Sequence, residues 1–271
     1  MITRIAPTPS GFLHLGNAVD FRLVYGLART NDGAIALRID DMDATLARAE
    51  YVDYVFDVLT WLDIDWTIGP RDRADFEANH AQSRRTDYFR AELDAAVDRG
   101  LAVYVCTCSR SMQKGVPTGG CVGRCWERVM PLEPGTAALR VRVPRGTVID
   151  VGDRVVHLDE RMGDFVVWRR DDLPAYQLAS VVLDRDLGVT HVVRGIDLID
   201  STAAQVFLAP FLDATPFADA TFLHHQLVTG PDDAKLSKSR HAPAIDRSPT
   251  SRQLVDYLAA RLGEPLGIGV S

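Results

Sequence analysis

No stretch of the sequence holds eighteen consecutive apolar residues, so a membrane-spanning helix is excluded. The opening Met1-Ile2-Thr3-Arg4-Ile5-Ala6 lacks the basic-then-apolar order of a secretory leader and reads as a β-strand. The expected compartment is therefore the cytoplasm, with no membrane partner. Basic residues are also in short supply: 30 Lys and Arg stand against 37 Asp and Glu, a formal net charge of −7. That balance does not support a strongly basic nucleic-acid clamp, although it says nothing of local patches. Cysteine is sparse, and its four copies all fall between Cys106 and Cys125. In a cytosolic chain such clustering argues for a metal rather than for disulfides. There is no internal repeat and no low-complexity tract. What remains is ordinary: 46% hydrophobic and 25% charged residues exclude the disordered, collagen-like and coiled-coil classes. At 271 residues the chain can bury a substantial core without staples, as one large domain or a core with an inserted subdomain.

Hydrophobic periodicity orders the elements. Residues 1–6 read as a short buried strand and Pro7-Thr8-Pro9-Ser10-Gly11 as a turn. A helix is expected from about Leu15 to Arg29, followed by a short apolar strand, Ile35-Ala36-Leu37-Arg38-Ile39. From Thr45 to Leu62, the residues Val52, Val55, Phe56, Leu59 and Leu62 recur at helical spacing. Phe89, Leu93, Ala96 and Val97 mark another helix, closed by Gly100. This strand–helix–strand–helix order is the signature of a parallel α/β sheet. Residues 137–170 instead alternate like antiparallel strands, at Ala138-Leu139-Arg140-Val141-Arg142-Val143, Val155-Val156-His157-Leu158 and Phe165-Val166-Val167-Trp168. A helix around Tyr176 to Asp184, a strand His191-Val192-Val193-Arg194 and a helix from near Ser201 resume the α/β order. The simplest account is an α/β domain interrupted by an inserted subdomain. Ser248-Pro249 starts a last helix, with Leu254, Leu258 and Leu262 on one apolar face and Gly263 as its stop.

Two segments carry chemistry. The first, Pro7-Thr8-Pro9-Ser10-Gly11-Phe12-Leu13-His14-Leu15-Gly16-Asn17, lies between a strand and a helix. Helix N-termini attract phosphate through free N–H groups and the macrodipole, and glycine lets a ligand approach the backbone. His14 and Asn17 could donate to phosphate or ribose oxygens; taken alone, the segment also fits a plain turn with a surface histidine. The second, Lys235-Leu236-Ser237-Lys238-Ser239, offers two lysines and two hydroxyls in five residues. That suits a clamp on a triphosphate, and equally a solvated loop. The spacing Cys106-x-Cys108, twelve residues, Cys121-x3-Cys125 can close a tetrahedral thiolate site.

The His-Leu-Gly-Asn and Lys-Leu-Ser-Lys-Ser segments together resemble the two signatures of class I aminoacyl-tRNA synthetases. Arg4-Ile5-Ala6-Pro7-Thr8-Pro9-Ser10-Gly11 and Arg38-Ile39-Asp40-Asp41-Met42-Asp43 narrow the resemblance to the glutamyl branch. Trp61-Leu62-Asp63-Ile64-Asp65-Trp66, Gln82-Ser83-Arg84-Arg85, Tyr176-Gln177-Leu178-Ala179 and Val192-Val193-Arg194-Gly195-Ile196-Asp197-Leu198 match that branch in order. The resemblance covers residues 3–250. Only 32 residues follow Ser239, where full glutamyl synthetases continue into an anticodon-binding region. In this the chain resembles the stand-alone glutamyl-Q-tRNA(Asp) synthetases, which attach glutamate to the queuosine base of tRNA(Asp).

The resemblance implies a Rossmann-type α/β catalytic domain with an inserted zinc-containing, partly antiparallel subdomain and no anticodon-binding domain. The expected division is 1–100 and 173–245 for the two catalytic halves, 101–172 for the inserted acceptor-type subdomain, and 246–271 for a short C-terminal helix. It implies ATP, glutamate and tRNA(Asp) as partners, Mg²⁺ with ATP, a monomer, and a structural Zn²⁺ on Cys106, Cys108, Cys121 and Cys125. By the same resemblance His14, Lys235 and Lys238 are catalytic, and His14, Gly16, Asn17, Lys235, Ser237 and Lys238 bind ATP. Arg4, Thr8, Asp40, Tyr176 and Arg194 would face glutamate. Arg4 could instead pair with an acid at 40–43, and Tyr176 could be core packing. Asp40 stands one methylene short of the family's Glu, Thr8 replaces Ser, and Ser180 stands where full glutamyl synthetases carry Asn. Seven arginines within 137–170 fit either an RNA surface or a solvated sheet face. Three other readings remain open: activation of glutamate or a related amino acid for another acceptor, such as a carrier protein or small amine; a non-catalytic ATP- or RNA-binding paralogue; and a generic nucleotide binder.

Overall fold

The computed structural model describes residues 1–42, 47–109, 111–113, 120–121, 123–228 and 243–270. The chain forms two compact units. The first comprises Met1–Arg84, Val189–Asp197 and Ala220–Ser271; the second comprises Arg85–Gly188 and Leu198–Asp219.

The first unit opens with β1 (Ile2–Ile5), α1 (Leu15–Thr30), β2 (Ala34–Leu37) and α2 (Ala49–Trp61). Each strand is a short apolar run buried along most of its length, as expected where helices cover both faces of a parallel sheet. β1 and β2 pair in parallel, Ile2 opposite Ala34 and Ile5 opposite Leu37. A short helical turn, α3 (Arg73–Asp75), continues into a π-helical turn at Phe76–His80. The returning segments supply β8 (His191–Gly195) and β9 (Thr221–His225), also parallel, Arg194 opposite His224. The two pairs meet where the Thr190 amide donates to the Ile2 carbonyl at 2.9 Å. α1 packs against β1, β8 and the last helix, α9 (Pro249–Gly263). It is therefore buried at Ala18, Val19, Phe21, Leu23, Val24, Leu27 and Ala28, on more than one face.

The second unit holds α4 (Thr86–Asp98), β3 (Val103–Cys106), β4 (Ala138–Val141), the hairpin of β5 (Val148–Val151) and β6 (Arg154–His157), and α5 (Leu158–Arg161). It continues through β7 (Val166–Trp168), α6 (Tyr176–Asp186), α7 (Ile199–Leu208) and α8 (Thr215–Ala218). β3, β4 and β7 form an antiparallel sheet in that order. Its helices are laced by Arg185 on α6. Arg185 grips Glu92 of α4 through two contacts of 2.8 and 2.9 Å and donates to the Leu212 carbonyl at 2.7 Å. A bidentate grip in a half-buried setting is the strong form of an ion pair.

Several expectations needed correction. β3, β5 and β9 were not anticipated: each is a four- or five-residue run that a short apolar window cannot separate from loop. In α9 the buried stripe is Val255, Ala259 and Gly263, while Leu254 is 45% exposed. Leu258 and Leu262 are only partly buried. The stripe is displaced by one residue because α9 presents its small side chains to α1. Val97, expected on the apolar face of α4, is exposed. The helix expected from Thr45 begins at Ala49, and 45–46 lie outside the described residues.

One glycine is required by the fold of the first unit. Gly69 has φ +104°, and a Cβ there would stand 2.1 Å from the Leu37 carbonyl oxygen. It follows Ile68, which bridges β2 at Ala36. Gly69→Ala must both strain the backbone and push β2 aside, so a loss of about 2–4 kcal/mol in unfolding free energy is expected. Urea denaturation with wild-type m-value measures it; a loss below about 0.5 kcal/mol would show that the turn relaxes freely.

Candidate active site and metal centre

In a parallel sheet all strands point one way, so their carboxyl ends share an edge, and ligands bind at that edge. β1 delivers Ala6-Pro7-Thr8 there, β2 delivers Arg38-Ile39-Asp40, β8 delivers Arg194-Gly195 and β9 delivers His225. The exits of β1 and β2 are stitched together: the Arg38 amide donates to the Ile5 carbonyl at 2.9 Å, and the Asp40 amide to the Pro7 carbonyl at 2.9 Å.

His14 is the residue at the N-cap of α1. Its amide donates to Asn17 Oδ1 at 3.1 Å, and its carbonyl accepts from the Asn17 and Ala18 amides. Asn17 thus shapes the helix entry as well as standing beside it. Gly16 is the second residue of α1; a Cβ there would come within 3.2 Å of the His14 ring, so glycine leaves the imidazole its place. The Ile245 amide donates to the Leu13 carbonyl at 2.9 Å, and Tyr54 Oη donates to the Ile245 carbonyl at 2.7 Å. Phe12 packs edge-on against Tyr51 and Tyr54, both at 5.0 Å. The chain that returns seven residues after Lys238 is therefore tied to the residue preceding His14. Lys235, Ser237 and Lys238 themselves, and Asp43, lie outside the described residues.

Arg4 and Arg194 are both buried, on the neighbouring strands β1 and β8. Arg4 Nη1 donates to the Val193 carbonyl at 3.1 Å. Thr8 is exposed at the end of β1. Asp40 is held by Arg38 in a two-point pair, Nε to Oδ1 at 2.7 Å and Nη2 to Oδ2 at 3.0 Å. Tyr176, at 39% exposure, is not core packing; it begins α6 in the second unit. Ser180 is buried on the same helix.

Four contributors were missed from sequence. Gln82 is buried and donates to Asp40 Oδ1 at 2.6 Å. Its neighbour Asp41 accepts from the Gln82 amide at 2.7 Å and from Ser83 Oγ at 2.6 Å. Buried His225, at the end of β9, pairs with half-buried Asp20: Nε2 to Asp20 Oδ1 at 3.0 Å, and Nδ1 to the Gln226 carbonyl at 2.7 Å. Both partners are acceptors, so the contacts favour the doubly protonated ring over either neutral tautomer. Burial alone would lower its pKa, but the Asp20 hydrogen bond and charge, the Gln226 carbonyl and Asp197 outweigh it and raise the pKa above the ordinary value. The motif Gln82-Ser83 was visible as a match, but nothing in its spacing pointed at Asp40.

The four cysteines converge in the second unit, with all four Sγ atoms within 4.8 Å of one another. Cys108 Sγ stands 3.8 Å from Cys121 Sγ and 3.7 Å from Cys125 Sγ. A disulfide would need about 2.05 Å. Zn–S bonds of about 2.3 Å in a tetrahedron give S···S edges of about 3.8 Å, so the spacing fits a four-thiolate metal site. Burial pushes the Cys106 thiol up to about 12; a bound cation would have to displace that proton. Four protein ligands leave no open position, which is the structural kind of zinc site. Tyr104, on β3, seals one side, stacking edge-on with Trp126 and donating to Asp164 Oδ2 at 2.8 Å.

Four of the seven arginines of 137–170 pair with carboxylates, and two more donate to backbone carbonyls. Arg140 donates to the Asp164 carbonyl, Arg142 pairs with Asp164, Arg154 with Asp153, Arg161 with Asp200 and Arg169 with Asp171, and Arg170 donates to the Cys108 carbonyl. Their arrangement favours a solvated face over a phosphate-binding band.

Purified protein is expected to carry one zinc per chain by elemental analysis, and Cys108→Ser is expected to lose it; a content near zero in wild type removes the metal. The His225 pair makes a pH prediction. A raised folded pKa means its stabilisation is complete below about pH 6.5 and fades as pH rises through the folded value. The thermal midpoint should therefore show an alkaline fall that His225→Gln and Asp20→Asn abolish. Parallel pH profiles for wild type and variants would contradict the charged pair.

Residues 1–116 and 124–258 match the family described as tRNA synthetases class I (E and Q), catalytic domain. The chain is 38% identical over 270 residues to a glutamyl-Q tRNA(Asp) synthetase of Pseudomonas syringae pv. syringae, covering 98% of this chain and 85% of that protein. It is 33% identical to glutamate–tRNA ligase 1 of Syntrophus aciditrophicus, where 96% of this chain spans 56% of the relative. The crystal structure of a glutamate–tRNA synthetase from Elizabethkingia anophelis shares the fold, with TM-score 0.70 and 24% identity over 88% of this chain and 52% of that one. The chain belongs to the class I tRNA synthetases of the E and Q group, and it is a ligase-type enzyme.

Proposed function

We propose that the protein activates glutamate with ATP and transfers the glutamyl group to the queuosine base of tRNA(Asp). The observation that carries the amino-acid reading is the charge pattern at the carboxyl edge of the sheet. Two buried arginines, Arg4 and Arg194, and one half-buried carboxylate, Asp40, stand on or just beyond adjacent strands. That is the complement of an amino acid with two carboxylates and one ammonium group. Arginine suits carboxylate because its planar fork can bind both oxygens. The acceptor reading is supported by the names of the glutamyl-Q tRNA(Asp) synthetases of Pseudomonas, at 36–38% identity.

In this reading the glutamate carboxylate attacks the α-phosphorus of ATP in line; the new C–O–P bond forms as the bond to pyrophosphate breaks. Mg²⁺ bound with ATP would offset phosphate charge. The N-terminus of α1, with His14, Gly16 and Asn17, receives the phosphates. Lys235 and Lys238, with Ser237, act on the same groups, His14 and Lys238 stabilising charge as pyrophosphate leaves. Thr8, just beyond β1, adds a hydroxyl to the amino-acid side of this edge, and the four-cysteine site holds zinc structurally in an inserted subdomain at 101–172. The second step moves the activated glutamyl group from AMP to a hydroxyl of the modified base.

ATP–pyrophosphate exchange tests the first step. Glutamate-dependent exchange without tRNA is expected, with His14→Ala or Lys238→Ala lowering its rate about 100-fold. No exchange with any amino acid would overturn the reading in favour of a non-catalytic ATP- or RNA-binding protein. For the second step, labelled glutamate should enter tRNA(Asp) that carries queuosine and not tRNA(Asp) that lacks it. Exchange without labelling of the modified tRNA would send the glutamyl group to another acceptor.

A further inference from the structure

We propose that Gln82 is a positioning residue for amino-acid recognition: with Arg38 it fixes the Asp40 carboxylate so that one lone pair of Oδ2 is left to meet the substrate ammonium group. The inference rests on the reading above, in which Asp40 receives that group. Asp40 is one methylene shorter than a glutamate, so its carboxylate cannot reach out to a ligand; it has to be aimed. The aiming is visible in its bonds. Oδ1 accepts from Arg38 Nε at 2.7 Å and from Gln82 Nε2 at 2.6 Å. Oδ2 accepts from Arg38 Nη2 at 3.0 Å. A carboxylate offers about four lone-pair positions, so Oδ1 is filled and Oδ2 retains one.

Gln82 is itself held without slack. Its Nε2 also donates to the Ile39 carbonyl at 3.0 Å, and its backbone amide to Asp41 Oδ1 at 2.7 Å. Both partners of Nε2 are acceptors, which sets the orientation of the amide group. Asp41, buried beside it, accepts further from the Ser83 amide and hydroxyl at 3.2 and 2.6 Å. The two adjacent acids divide the work: Asp41 secures the turn that carries Gln82, and Gln82 secures Asp40. Arg38 offsets the Asp40 charge, so recognition there depends on the direction of one hydrogen bond more than on net attraction. A glutamate at 82 would set a second carboxylate against Oδ1; a methionine would have the same reach and no donor.

The test uses the full chain in glutamate-dependent exchange. Gln82→Met is expected to raise KM for glutamate about tenfold, the loss of one hydrogen bond to a charged group, with KM for ATP unchanged within about twofold. Gln82→Glu, nearly isosteric, is expected to raise KM for glutamate at pH 8 and to recover as pH falls and the new carboxyl takes up a proton that it can donate to Asp40. Residue 82 acting only in folding would move both KM values together and leave no pH signature. An unchanged KM for glutamate in folded Gln82→Met, while Asp40→Asn raises it, overturns the proposal alone. An unchanged KM in Asp40→Asn as well overturns the assignment of Asp40, and with it the proposal. If Gln82→Met does not fold, the pH dependence of Gln82→Glu decides: a flat KM profile overturns the proposal.

Discussion

The first unit depends on one long-range alignment, the placing of β8 beside β1. The Thr190 amide meets the Ile2 carbonyl, and Thr190 Oγ1 accepts from the Ile2 amide, across 188 residues of chain. β1 pairs in parallel with β2 and β8 with β9, and this contact between the two pairs brings Arg4 next to the residue preceding Arg194. It lets Arg4 cap the Val193 carbonyl. Loop closure over so long a segment has an entropic cost. It is offset by the apolar surface that β1, β2, β8, α1 and α9 bury together.

The edge so formed is managed by charge. A buried guanidinium or carboxylate is costly unless paired and hydrogen-bonded. Asp40 is matched by Arg38 and Gln82, His225 by Asp20, and Arg22 of α1 by Asp256 of α9 at 2.8 Å. These pairs have a geometric consequence beyond their energy. The Gln82–Asp40, His225–Asp20 and Arg22–Asp256 contacts join segments far apart in sequence, and the first two hold a side chain at the edge. Asp40 and His225 are held by partners on other segments, which suits a surface where direction counts.

The second unit meets a different constraint. Around Cys106, Cys108 and Cys125 its buried apolar cluster is small, with little area to set against chain entropy. Four sulfurs at tetrahedral spacing suit a metal ion, whose binding would add a cross-link where core is small. The helical part relies instead on Arg185, whose bonds to Glu92 and Leu212 connect three segments through one side chain.

Much of this was legible in residue order. The strand–helix–strand opening, the helix entry at His14, the antiparallel middle and the grouping of the cysteines follow from periodicity and short spacings, which are local properties. Local patterning failed in α9, where Leu254 faces water and Ala259 is buried, because the face a helix buries is chosen by its neighbour. It also failed for β9, too short to register as periodic. Least legible was who holds whom. Gln82 lies 42 positions from Asp40 and His225 lies 205 from Asp20, and no periodicity links residues so distant. The amino-acid order determined which chemical groups exist and which local elements carry them. Tertiary structure alone decided which carboxylate Gln82 meets, which histidine meets a carboxylate and which arginines are ion-paired, because hydrogen bonds and ion pairs act over a few ångströms of space, whatever the distance along the chain.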